Sequence, residues 1–105
     1  MANDDRYTTE LAHLQRTAAE SRLRAVECQL SLAFTLCAIA ETEIRYGQPR
    51  EATEVMNKVR HHAETIRVHL DEPNHLPRTA ISELRKQLTQ LKKRTEEIES
   101  SLRQQ

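Results

Sequence analysis

The last third of the chain sets apolar residues at alternating steps of three and four: Ile81, Leu84, Leu88, Leu91, then Ile98 and Leu102, with Thr95 interrupting the series. This is a heptad seam, the pattern of a helix that lies along another helix. Two earlier segments follow the same rule. One runs Leu23, Val26, Leu30, Ala33, Cys37, Ala40, Ile44, and the other Ala52, Met56, Val59, Ala63, Ile66, Leu70, with Val55 broadening its face. Further upstream, Leu11, Leu14 and Ala18 make a shorter seam whose phase differs from the next by about two residues. That offset predicts either a stutter in one long helix or a break between Thr17 and Ser21, where Thr17-x-x-Glu20 has the form of a capping box.

Polar and special residues punctuate these seams. Asn3 followed by Asp4 and Asp5 reads as an N-cap with first-turn acids. Tyr46-Gly47-Gln48-Pro49 closes one helix and opens the next, with glycine suited to the left-handed C′ position and proline to the first helical turn. Asp71 to Pro77, with two prolines and an asparagine, ends the second helix and restarts the chain. The expected organisation is a single all-α domain over residues 1–105, an antiparallel bundle or coiled coil of three long helices at about 4–46, 49–70 and 78–103. The first is either continuous or broken near residue 20.

Composition supports the same class. Glycine occurs once, and the only aromatics are Tyr7, Phe34 and Tyr46, so the turns and aromatic runs of a sheet are missing. Sixteen basic and sixteen acidic residues give a net charge of zero, which removes any general attraction for nucleic acid or an anionic membrane. The charge is unevenly placed, with residues 78–105 basic and the rest mildly acidic. The basic last helix either attracts the other helices or, through Arg85, Lys86, Lys92, Lys93 and Arg94, binds phosphates. Glu96, Glu97 and Glu99 work against the second option.

Cys28 and Cys37, roughly 13 Å apart along one helix, cannot pair with each other while it is intact. Two unpaired thiols, an acidic start, and a longest apolar-rich segment (Leu30 to Ala40) shorter than a bilayer requires predict a soluble cytoplasmic protein.

Candidate chemistry is thin. Glu10-x-x-His13 and Glu72-x-x-His75 have the carboxylate-imidazole spacing of di-iron bundles, but no inward glutamates complete either set, and the second pair straddles Pro73. His62 and His69 flank the Ala63, Ile66, Leu70 stripe. His61 and His62 resemble the exposed histidine of phosphotransfer bundles, without the Lys/Gly pattern that follows it there. No nucleophilic triad, Gly-rich phosphate loop or paired-cysteine zinc motif occurs, and Glu41 and Glu43 point to different helix faces. No catalytic, cofactor or metal residue is therefore expected.

Lengths point to association instead. A first helix of roughly 60 Å outruns partners of about 30 and 40 Å, leaving Leu11 and Leu14 for a second copy to cover. The expected function is a non-catalytic interaction module, a homodimer or a binder of another helical protein, with Leu11, Leu14, Leu84, Leu88, Leu91, Ile98 and Leu102 as interaction residues. Its rivals are a nucleic-acid or regulator-binding protein that uses the last helix, and a metal or phosphotransfer bundle. The series Leu36, Ile39, Ala40, Gly47, Ala52, Met56 resembles a single tetratricopeptide helical hairpin over residues 33–64. That resemblance implies protein binding rather than catalysis.

Overall fold

The computed structural model describes residues 2–72 and 76–105, with side chains from Asp5 onward. Three helices account for nearly all of them: α1 (Ala2–Arg45), α2 (Pro49–Asp71) and α3 (Arg78–Arg103), with no strand among the described residues. The protein is all-α, as the heptad seams require.

Helix α1 is unbroken. Thr17 does not cap a new helix; its hydroxyl donates to the His13 carbonyl one turn back (3.0 Å), a bond made within a continuing helix. No glycine or proline forces a break before Gly47. Asn3 lies inside the helix, which begins at Ala2, so the expected start at about residue 4 is corrected by two residues.

The turn at Gly47 has the geometry its sequence predicts. Gly47 adopts φ +73°, the Gln48 amide donates to the Glu43 carbonyl (2.8 Å), and the Gly47 amide to that of Ile44 (3.1 Å). These are the two bonds of a Schellman motif. Pro49 then opens α2, where its missing N–H costs nothing.

The three seams meet in one core. Val26, Leu30, Ala33, Cys37 and Ala40 of α1 join Ala52, Met56, Val59, Ile66 and Leu70 of α2, and Leu84, Leu91 and Ile98 of α3. Alanines at 33, 40 and 52, all fully buried, let α1 and α2 approach closely. Leu76 buries itself ahead of α3.

Charges on α3 find partners on the other helices. Arg94 donates to Glu41 of α1, Arg85 donates to Asp71 of α2 (3.0 Å) and to the Leu70 carbonyl (3.2 Å), and Glu99 accepts from Arg60 of α2 (2.5 Å). Each pair is partly exposed, so each fixes orientation more than it stabilises.

The core starts near Leu23, although α1 starts at Ala2. Every described residue from Asp5 to Ala18 is exposed, and the molecule measures 70 × 19 × 15 Å. About 30 Å of α1 thus projects beyond the other two helices.

Candidate association surface on helix α1

The projecting end carries Tyr7, Leu11 and Leu14, which are 69%, 46% and 63% exposed. Followed in steps of three and four, their row does not shift into the core seam. It passes through Ala18, Ser21, Ala25 and Cys28, then Leu32, Thr35, Ile39 and Thr42, in strict heptad phase to Tyr46, the residue that follows the helix. All twelve positions are exposed and none is charged. The residues beside them, such as Glu10, Arg22, Arg24, Glu43 and Arg45, carry charge freely.

At 100° per residue this stripe lies about 150° around α1 from the core seam. Helix α1 therefore has two faces. One begins at Leu23 and is covered by α2 and α3; the other runs from Tyr7 onward and is covered by nothing among the described residues. The upstream seam is thus neither a stutter nor a broken helix, because it is the visible start of the second face.

Two faces on one segment also explain its hydropathy. Eighteen residues of α1 reach a mean hydropathy of 1.4, long and apolar enough to cross a membrane by length and composition alone. The expectation that the longest apolar-rich segment, Leu30–Ala40, is too short to span a bilayer is corrected to that extent. Core residues Leu30, Ala33 and Cys37 alternate there with stripe residues Leu32, Thr35 and Ile39, so apolar character accumulates from two directions.

Beside the stripe, on the side toward the core, Gln29, Leu36 and Glu43 are half-buried. One side-chain oxygen of Gln29 (Oε1) and one of Glu43 (Oε2) are buried without a hydrogen-bond partner. Such atoms are costly unless a donor reaches them.

The interaction residues expected from sequence divide into two groups. Leu84 (3% exposed), Leu91 (0%) and Ile98 (3%) belong to the core within one chain, and Leu88 and Leu102 pack against it half-buried. Leu88 also floors a shallow groove of about 360 Å³ between α2 and α3, rimmed by Arg60, Glu64, Arg67 and Glu99. That rim is electrostatically closed: Arg60 is bonded to Glu99, and Arg67 to Glu64 (2.5 Å) and Asp71 (2.8 Å). The Arg67 hydrogen bond holds the Glu64 carboxyl below its ordinary value. Leu11 and Leu14 alone of the seven face solvent.

Polar candidates are dispersed. Glu10 and His13 are exposed on the projecting end, and Glu10 pairs with Arg6 at 3.5 Å. His75 of the second carboxylate-imidazole pair lies outside the described residues. His61 and His62 meet edge-on at 6.1 Å between ring centres, His61 exposed and His62 half-buried, with His69 exposed one heptad on. Among the described residues no three His, Cys, Asp or Glu side chains gather in a way that would hold a metal ion.

The two thiols differ sharply. Cys28 is exposed in the stripe, whereas Cys37 is fully buried in the core. Burial pushes the Cys37 thiol above its ordinary value, against the smaller opposing pull of Arg94 and of a hydrogen bond with Thr95.

Composition alone disguised the stripe. Its middle is Ala, Ser, Cys and Thr, which register weakly as hydrophobic; the informative signal is the absence of charge along one heptad row in a chain that is 30% charged. Neither a protein-family model, nor a curated protein, nor a solved structure matches the chain.

Proposed function

We propose that this chain is a non-catalytic, cytoplasmic helical interaction module, an adaptor, scaffold or regulator, that self-associates through α1. The observation that carries the reading is the uncharged, exposed stripe running from Tyr7 to Tyr46. A leucine or isoleucine taken from full exposure to full burial gains about 1.5 to 3 kcal/mol, so those on this row, about half exposed in one chain, gain roughly half of that each, and a second long helix is the shape that buries them together. The tetratricopeptide-like α1–α2 hairpin offers another helical protein a second route of attachment, as that resemblance implies.

Molar mass measured by light scattering, on a dilution series at low and high salt, tests the reading. A dimer that persists in both is expected, because the contact is mainly apolar. A monomer at every concentration overturns it. The phosphate-binding alternative has a weaker footing: Arg85 and Arg94 are engaged by Asp71 and Glu41, leaving Lys86, Lys92 and Lys93 as the exposed cations of that face.

A further inference from the structure

The stripe has a preferred partner orientation. We propose that two copies of this chain pair antiparallel along the whole of α1, with Tyr7 against the partner's Tyr46 and Leu14 against the partner's Ile39, so that the two bundles stand back to back. This rests on the self-association proposed above and specifies its geometry.

Steric fit is the first argument. In this register Leu11 faces the partner's Thr42 and Ser21 faces the partner's Leu32, a large residue against a smaller one. Ala25 faces the partner's Cys28 near the centre, where small side chains let the helices approach closely. The six large exposed residues and the small ones between them would bury on the order of 700 Å² per chain, which is the size of a specific interface. Neither bundle obstructs the contact, since α2 and α3 cover the far side of each α1.

Flanking charge is the second argument, and it selects the register. Glu10 lies beside the partner's Arg45, a contact made twice by symmetry. Arg22 lies beside the partner's Gln29, one of the two residues with a buried oxygen lacking a donor. Sliding one chain by a heptad in one direction sets Arg22 and Arg24 against their own copies. Sliding it the other way carries Tyr7 and Leu11 past the end of the partner helix. A parallel pair places Glu10 beside the partner's Gln15 and Arg24 beside the partner's Gln29, with no opposite charges meeting. Overlapping only the projecting ends matches Glu10 with the partner's Arg24 but leaves Leu32 and Ile39 uncovered.

Spin-label distances distinguish these arrangements. In a Cys28→Ser background, with Cys37 buried, single labels are placed at His13→Cys and at Glu27→Cys, two exposed positions on the row bordering neither edge of the stripe. The full antiparallel pair gives about 40 Å between labels at 13 and less than about 25 Å between labels at 27, from 1.5 Å rise per residue and 8–10 Å between helix axes. Short distances at both sites mean a parallel pair, and a short distance at 13 with a long one at 27 means overlap of the projecting ends. Either pattern overturns the proposed geometry while leaving self-association standing. A monomeric mass for the labelled chains and for the unlabelled protein overturns both, and assigns the stripe to another occupant, a different helix or a membrane surface.

Charge reversal gives an independent readout. Glu10→Arg is expected to weaken the dimer by about three- to tenfold, and Glu10→Arg with Arg45→Glu to restore it, the scale of two exposed ion pairs. No recovery in the double variant overturns the register.

Discussion

Paired truncations at Leu91 and Leu14 separate what folds the chain from what joins two chains. Leu91 is 0% exposed, and its core cluster includes Ala33, Ala40 and Ala52, residues too short to refill the space its side chain vacates. Leu91→Ala is therefore expected to cost about 3 to 4 kcal/mol, within the upper part of the usual range of 2 to 5. For a chain of this length total stability is about 5 to 15 kcal/mol, so the loss is a large fraction of it. Leu14 is 63% exposed within one chain, so Leu14→Ala should leave the intrinsic stability of that chain unchanged within about 0.5 kcal/mol. Its cost appears only in the association constant, where truncating the same residue in both chains removes two contacts. Urea unfolding followed by far-UV circular dichroism, repeated over a hundredfold range of concentration, measures both. The Leu91→Ala penalty should be independent of concentration and the Leu14→Ala penalty should vanish on dilution. A Leu91→Ala loss well below 1 kcal/mol would show that the α3 seam is not core, and a concentration-independent Leu14→Ala loss would show that the projecting end packs within its own chain.

Three further outcomes follow from particular residues. Gly47→Ala should cost about 1 to 2 kcal/mol in a thermal melt, since φ +73° penalises a side chain even though no atom lies within 4 Å of the added Cβ. Cys28 should react with a maleimide in the folded monomer, while Cys37 reacts only on unfolding; mass spectrometry of partly labelled protein reads the order, and early modification of Cys37 would contradict its burial. The raised Cys37 pKa also sets a sign for alkaline stability. Above the unfolded thiol value, near 8.5, the unfolded chain loses its proton before the folded one, so stability falls as pH rises toward the folded value, and Cys37→Ala should remove that part of the slope in urea titrations run upward from the unfolded thiol value.

The fold was legible because its determinants are local and repetitive. Seams at Leu23–Ile44, Ala52–Leu70 and Ile81–Leu102 each have a single buried face, and Gly47 and Pro49 mark a boundary with positions that only those residues fill well. The expected helix limits lie within about two residues of those found. The association surface was only half legible. Leu11 and Leu14 announce it, but beyond Ala18 the row passes through Ser21, Ala25 and Cys28 beside the stronger Leu23, Val26, Leu30 seam, and a reading for one dominant period per segment follows the larger side chains. Two seams on one helix sum to a nearly uniform apolar stretch, which is also why α1 has the length and composition of a membrane-crossing helix. Nor could sequence show that the α3 seam is consumed inside the chain, since a heptad face looks the same whether its partner is intramolecular or a second copy.

The projecting end ties folding to association. The described residues ahead of the core lack tertiary burial; the ordered half of α1 spares them the cost of nucleation, but each adds only its own hydrogen bond, so this end frays more readily than the rest. Within α1 the first half has no core to lean on, and its ion pair at Arg6–Glu10 is exposed and weak. Residues 23–45, by contrast, are held by α2 and α3 whether or not a second chain is present. Dilution should consequently loosen the projecting end first, while the three-helix core remains intact, and a partner helix supplies the burial that makes one rigid rod of both halves. The stripe's unbroken phase from Tyr7 to Tyr46 matters for that reason: the half already ordered by the core presents Leu32 and Ile39 as a template on which a second chain's loose half can order. An antiparallel pair performs this exchange in both directions at once, each stable half supporting the other's marginal one, whereas a parallel pair would set the two marginal halves against each other.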